Sequence, residues 1–132
     1  MKTTRFATTA LAGVVLAGCA ALTTADDSPI VGTWIGQEGR AAGTSLVFRA
    51  NGEALWMLPD TFRLDYRHTQ LGARHHIDLS GFTGGPLAGR TLYCVGQMPT
   101  EDSLRLECEP GTDPGVRPAT IDDAQVQVFR RE

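Results

Sequence analysis

Alternating apolar and polar residues divide most of this chain into short β-type runs, most clearly between residues 90 and 110. Two runs there each place their apolar residues on one face. These residues are Leu92, Cys94, Leu104, Leu106 and Cys108. Pairing residue 94 with residue 108 leaves a short loop near residues 99–103 and puts the two thiols opposite each other. The pattern therefore predicts a β-hairpin whose cysteines point inward with the leucines.

The same pattern continues along the rest of the chain from Pro29, with turn residues between the runs and no amphipathic helical stretch of useful length. Asn51-Gly52 is the strongest hairpin signal, because both residues accept positive φ at low cost. Residues 80–89 are too rich in glycine for a regular strand, and residues 109–123 read as a long irregular connection. The other predicted strands are 30–37, 44–49, 53–58, 62–67, 74–79 and 124–131.

These runs predict an all-β fold, namely a small antiparallel up-and-down barrel of about eight strands, because closure removes exposed strand edges. A barrel of this size is just wide enough to be filled by its own side chains or to hold one small molecule. We expect a largely filled interior, with a small apolar mouth whose ligand-binding residues are Trp56, Phe62 and Tyr66. The predicted inward set is Leu46, Phe48, Trp56, Leu58, Phe62, Leu64, Tyr66, Ile77, Leu79, Leu92, Cys94, Leu104, Leu106, Cys108, Val126 and Val128.

The first residues have the pattern of a targeting segment. A basic start is followed by an apolar run that is too short to span a bilayer as a permanent helix. Its end, Leu16-Ala17-Gly18-Cys19, resembles the lipobox of bacterial lipoproteins. The resemblance implies a signal peptide at residues 1–18, acylation of Cys19, a lipidated tether at residues 19–28 and a barrel domain at residues 29–132. It also implies a lipid anchor in the outer membrane that faces the periplasm, because an uncharged Ala20 follows the cysteine.

The charge of the chain limits the classes of partner that it can bind. Removal of residues 1–18 takes Lys2 and Arg5 from the 12 basic groups and leaves all 15 acidic groups, so the net charge falls from -3 to -5. An acidic surface without basic clusters argues against nucleic acid as a partner and against a second, charge-driven contact with anionic lipid. We expect a monomer that meets the membrane only through its lipid.

The remaining two cysteines, Cys94 and Cys108, can pair in one way if Cys19 carries lipid and the compartment is oxidising. A metal pair and free thiols are the alternatives. Neither cysteine has the close Cys or His spacing of a zinc site, so a disulfide is favoured.

Further motifs resemble the lipocalin superfamily. They are Gly32-Thr33-Trp34 in the first strand and the basic pair Arg130-Arg131 in the last. In that superfamily a Trp closes the base of the barrel and an Arg from the final strand packs across it. The resemblance therefore implies that Gly32 and Trp34, with Arg130 or its neighbour, close the barrel, and we choose Arg130. Phe48 to Gly52, Ile77 to Leu79, Leu104 to Cys108, Arg117-Pro118 and Phe129-Arg130 are similar to a small bacterial lipocalin-like family of unassigned function.

The candidate catalytic and metal-binding residues give weaker signals. His75 and His76 are adjacent, so in a strand they point to opposite faces, and at most one can join a shared site, with Asp78 two residues on. We interpret these histidines and His68 as part of a solvated edge rather than as a metal or haem site. The serines lack the context of a nucleophile elbow, and the acidic pairs lie in loops or in the tether. We expect no enzyme activity, no cofactor and no metal centre.

Three functions fit these observations. The favoured one is a membrane-anchored envelope lipoprotein whose barrel binds a small apolar ligand or an envelope component. The alternatives are a barrel-type inhibitor of a hydrolase such as a protease or lysozyme, acting through loop 80–89 or loop 109–120, and a purely structural envelope lipoprotein. A cavity above about 300 Å³ favours ligand binding, whereas a filled barrel with a protruding rigid loop favours inhibition.

Overall fold

The computed structural model describes residues 28–132 and shows an antiparallel barrel of eight strands closed by pairing of the first strand with the last. The prediction of an all-β up-and-down barrel is confirmed. Each strand pairs with its neighbours in sequence, so every connection joins adjacent antiparallel strands. The strands are β1 Gly32–Glu38, β2 Ser45–Phe48, β3 Glu53–Met57, β4 Thr61–Leu71, β5 Arg74–Ser80, β6 Thr91–Thr100, β7 Ser103–Gly111 and β8 Gln127–Arg131. Among the described residues, no helix is long and apolar enough to cross a membrane.

The two ends of the barrel differ. At one end, which we call the closed end, residues 28–31 enter the fold beside the turns that join β2 to β3, β4 to β5 and β6 to β7. At the other end, the mouth, the connections after β1, β3, β5 and β7 are found. Ile30, predicted as the start of the first strand, lies before β1 and is fully buried, so the entering segment packs into the core.

The barrel interior follows from the period of two along each strand. Leu46 faces inward on β2, Leu64 on β4, and Ile77 and Leu79 on β5. A small residue, Ala54, is buried on β3, which leaves room for larger neighbours. The predicted inward residues that are buried are Leu46, Phe48, Leu64, Ile77, Leu79, Leu92, Cys94, Leu104 and Leu106.

The predicted phase of the last strand is wrong. Val126 precedes β8, and Val128 pairs with Arg105 on the outer face. Phe129 is fully buried instead and lies opposite the buried Leu104. Because side chains alternate, a one-residue error in phase exchanges the two faces of a strand.

The hairpin of β6 and β7 has the predicted register, with Cys94 directly opposite Cys108. The two residues form a disulfide, so this prediction is confirmed and the alternatives of free thiols or a metal pair are excluded. A register shift between Gln97 and Thr100 narrows the turn to two residues, Glu101 and Asp102, rather than the predicted loop over residues 99–103.

The long connection from β7 to β8 lies against the outer wall of the barrel. Arg117 Nη2 lies 2.7 Å from Asp78 Oδ1, and Arg117 Nη1 donates to the carbonyl oxygen of Cys94 at 2.9 Å. The guanidinium also lies 5.4 Å from the centre of the Tyr93 ring. This cover explains why Tyr93 and Val95 are buried although they point outward.

Candidate functional site

The mouth of the barrel contains an apolar pocket of about 360 Å³. Trp56 from β3 and Phe62 from β4 form one side of it, as the cross-strand pair Trp56↔Phe62 requires. The other side comes from the glycine-rich connection between β5 and β6, and no charged residue of the described chain lines the pocket. Its lining residues are Trp56, Leu58, Phe62, Phe82, Gly84, Gly85, Pro86 and Leu87.

Local sequence explains the shape of the connection between β5 and β6, which forms the roof of the pocket. Gly85 adopts a positive φ of 72°, which starts the short 3-10 turn Gly85–Leu87 with Pro86 in its first turn. The turn brings Leu87 back over the barrel, where Leu87 and Phe82 pack against the core. These two residues were missed in the sequence because single apolar residues in a glycine-rich segment give no periodic signal.

Phe62 and Trp56 differ in how far they are exposed at the pocket. Phe62 is 41% exposed, so part of its ring is accessible at the pocket. The indole nitrogen of Trp56 is buried and has no hydrogen-bond partner among residues 28–132. A buried donor left without a partner costs about 1 to 3 kcal/mol.

Tyr66, the third predicted binding residue, does not line this pocket. Its hydroxyl donates to the carbonyl oxygen of Arg49 at 2.6 Å, and its ring meets Phe48 edge-on at 4.9 Å. Burial raises the pKa of Tyr66 above its usual 10.0. Tyr66 lies two positions beyond Leu64 in the direction of the closed end, because inward residues two apart on β4 step along the barrel axis. Its role is to hold the β2–β3 turn.

The closed end is organised around Trp34 and Arg131. The Trp34 side chain is fully buried and donates from Nε1 to the carbonyl oxygen of Ile30 at 2.8 Å. The Arg131 guanidinium carbon lies 4.3 Å from the centre of the Trp34 ring. Arg131 also donates from Nη2 to Pro29 at 2.7 Å, from Nη1 to Val31 at 2.9 Å and from Nε to Glu101 at 3.1 Å, in each case to the backbone carbonyl.

Arg130, the residue chosen from the sequence, is exposed and makes no part of this arrangement. It pairs with Ile35 on the outer face, whereas Arg131 pairs with Trp34. Gly32 lies beside this site, since a Cβ there would lie 2.6 Å from Arg131 Nη1. The expectation that Arg130 closes the barrel is therefore corrected to Arg131. The cause is the same one-residue error in the phase of β8 that also put Phe129 on the wrong face.

Two histidines lie inside the closed end. His75 is 4% exposed, so the interpretation of a solvated edge is wrong for this residue. Nε2 of His68 lies 2.9 Å from Nδ1 of His75, and Nδ1 of His68 lies 2.8 Å from Ser28 Oγ. Burial, with the charge of His75 as a second cause, lowers the pKa of His68 from 6.5 to about 4. Burial also lowers the pKa of His75.

His76 points to the outer face, as the alternation on β5 predicts. Burial together with Arg117 and Arg74 lowers the pKa of His76, while Asp78 opposes them. Within residues 28–132 no group of three or more His, Cys, Asp or Glu side chains is placed to hold a metal ion.

Comparison with protein-family models, with curated proteins and with solved structures gave no match. The predictions for the signal peptide at residues 1–18, the lipidated Cys19 and the tether up to residue 27 lie outside the described residues. Ser28, expected at the end of the tether, contacts the barrel through His68.

Proposed function

We propose that this protein is an envelope lipoprotein, anchored through Cys19, whose lipocalin-like barrel binds a small, neutral, apolar ligand at its mouth. The observation that supports the proposal best is the pocket of about 360 Å³ formed by Trp56, Phe62 and the roof of Phe82 and Leu87. Its volume falls within the usual range of ligand sites, roughly 300 to 1,000 Å³.

The lining residues narrow the chemistry of the ligand. Because no charged side chain of the described residues lines the pocket, an ionised ligand group would lose its hydration without gaining a partner. Trp56 Nε1 is a buried donor without an acceptor among residues 28–132. Because this nitrogen is buried in the ligand-free barrel, an acceptor on the ligand would reach it only after the Trp56 side chain turned.

The position of the pocket supports a role in the aqueous compartment. The chain enters the barrel at the closed end through residues 28–31, and the pocket opens at the opposite end. An anchor at Cys19 would thus hold the closed end nearest to the membrane and leave the mouth accessible to the periplasm. Such a protein would take up its ligand from the periplasmic side.

The inhibitor hypothesis has less support from the geometry. The connection after β7, which would have to protrude, is held to the wall by Arg117, and Asp122 N donates to Glu107 Oε1 at 2.7 Å. The loop between β5 and β6 covers the mouth through Phe82 and Leu87. One loop is therefore held to the outer wall and the other to the mouth, by contacts that a protruding inhibitory loop would need to give up.

The proposal can be tested by fluorescence titration with 1-N-phenylnaphthylamine, a neutral apolar probe. We expect saturable binding of one probe per chain and at least a tenfold loss of affinity in Phe62→Ala. Leu71→Ala is the matched control, because Leu71 is 50% exposed on the far end of β4 and touches no part of the pocket. Equal effects of the two substitutions, or no binding by the wild-type chain, would overturn the proposal.

A second measurement concerns the natural ligand. Native mass spectrometry of the protein extracted from its own membrane should show a bound neutral molecule that is lost in Phe62→Ala. Co-purification of a hydrolase with an empty barrel would instead favour the inhibitor hypothesis.

A further inference from the structure

The two buried histidines of the closed end meet in an unusual geometry. Their ring centres are 5.1 Å apart, their planes differ by 13°, and His68 Nε2 lies 2.9 Å from His75 Nδ1. The separation of the centres is close to the nitrogen–nitrogen distance plus two ring radii. The rings therefore meet edge to edge in nearly one plane, with the two nitrogens facing each other, rather than face to face.

The surroundings of the pair orient the lone pair of one ring towards the other. A neutral imidazole is the form that binds metals. Ser28 Oγ lies 2.8 Å from Nδ1 of His68 and can accept the proton of that nitrogen, which leaves the lone pair of Nε2 pointing at His75. Metal-binding histidines commonly have their second nitrogen held in this way.

A third group lies on the side of His75. Met98 and His75 line the same cavity of about 260 Å³ at the closed end, and Met98 packs against the core. The inward face of β6 approaches His75 at Gly96, where an added Cβ would lie 3.5 Å from that of His75. A thioether is a soft ligand that favours monovalent copper over harder cations.

The ligands available among residues 28–132 fit the commoner metals poorly. Structural zinc takes four ligands, and calcium and magnesium take about six oxygens. No third His, Cys, Asp or Glu within residues 28–132 joins His68 and His75 in a possible metal group. Two facing nitrogens and one thioether match a soft cation of low coordination number.

We propose that His68 Nε2 and His75 Nδ1 form a binding site for a soft monovalent cation, Cu(I) or Ag(I), with the Met98 sulfur as an additional ligand. Metal–nitrogen bonds of about 2 Å require the two rings to separate by roughly 1 Å from their present contact. His75 then carries its single N–H proton on Nε2 instead of Nδ1, so binding releases no proton. The site is independent of the ligand pocket at the mouth, and either proposal can fail alone.

The test uses the full chain with Cys19→Ser, so that no free thiol competes, and with the disulfide intact. Ag(I), which undergoes no redox change here, is titrated while the NMR signals of the histidine rings are recorded. We expect saturation at one Ag(I) per chain. The signals of His68 and His75 should move, and those of His76 should not, because His76 points to the outer face of the same strand.

Affinity provides the second readout, through competition for Cu(I) with bicinchoninate. His68→Gln and His75→Gln should each weaken binding at least tenfold, and Met98→Leu should weaken it less. His76→Gln is the matched control and should bind as the wild type does.

Several outcomes contradict the site. They are no saturable binding, equal loss in His76→Gln, or unchanged binding in both inner variants. If a glutamine variant does not fold, the histidine signals of the wild-type chain still decide, because Ag(I) that leaves His68 and His75 unperturbed overturns the proposal.

Discussion

At the scale of single residues, Arg131 is the side chain on which the closed end depends most. It donates to three backbone carbonyls and lies over the Trp34 ring. Hydrogen bonds from charged donors contribute about 1.5 to 3 kcal/mol, and a cation–π contact about 0.5 to 2 kcal/mol. We expect Arg131→Ala to lower the free energy of unfolding by roughly 2 to 3 kcal/mol, measured by urea denaturation.

The neighbouring arginine provides a matched control. Arg130 is exposed on the outer face, so Arg130→Ala should change stability by no more than about 0.5 kcal/mol. Arg131→Lys should recover only part of the loss, because an ammonium group lacks the planar fork that reaches Pro29, Val31 and Glu101 together. Similar losses from the two alanine variants would contradict this assignment.

The sequence correctly predicted that an arginine of the last strand lies over Trp34 at the closed end, but not which of the two arginines it is. Trp34 and an arginine of the last strand were expected together, but Arg130 was chosen. The choice depended on the phase of the final run, which contains Val126, Val128 and Phe129 and so has apolar residues on both faces. The phase is resolved only by long-range pairing, of Phe129 with Leu104 on β7 and with Gly36 on β1.

At the scale of elements, the β6–β7 hairpin is the part that the sequence determined most fully. Its alternation, its register and its disulfide could all be read from local residues, because a hairpin is formed by neighbours in the chain. The bulge between Gln97 and Thr100 was not predicted, since the alternation of the two runs is the same with or without it.

The disulfide of this hairpin should make a measurable contribution to stability. The sequence separation of Cys94 and Cys108 is 14 residues, and a loop of this length is worth about 3 kcal/mol in the chain-entropy account. We expect the double variant Cys94→Ala, Cys108→Ala to unfold at lower urea, with a loss of roughly 2 to 4 kcal/mol.

Reduction of the wild-type chain provides the control for this experiment. It should produce a loss of similar size, whereas the same reductant should leave the double variant unchanged. A reduced chain as stable as the oxidised one would contradict this expectation, because the cross-link would then remove no entropy from the unfolded state.

The connection from β7 to β8 shows the opposite case. Its irregular nature was predicted from its prolines and glycines, but its place on the outer wall was not. That place depends on Arg117 with Asp78 and on Arg105 with Asp123, which pair residues far apart in the chain. Nothing in the local pattern indicates that Tyr93 and Val95 are covered.

At the scale of the whole molecule, the barrel interior contains two kinds of side chain, apolar residues and a pair of histidines. Most inward positions are apolar and could be predicted from the period of two. The histidine pair could not, because His68 and His75 lie on different strands and one of them is flanked by His76. Their inward phase does agree with that of Leu64, Tyr66 and Ile77, so the signal was present in the alternation but was outweighed by the usual exposure of histidine.

The buried pair makes the stability of the whole barrel sensitive to acid. In the unfolded chain a histidine has a pKa near 6.5, whereas in the folded chain the pKa of His68 is about 4 and that of His75 is also lowered. The unfolded state therefore binds more protons over this interval, so the free energy of unfolding falls as pH decreases from about 6.5 to about 4.

Urea denaturation at several pH values, at constant ionic strength, measures the decline. The variant His68→Gln, His75→Gln should show a shallower decline, since its remaining pH dependence comes from carboxylates and His76. In His76→Gln the part of the decline that is due to the inner pair should persist. A double variant whose decline equals that of the wild type would contradict the prediction, because the pair would then bind protons equally in the folded and the unfolded chain.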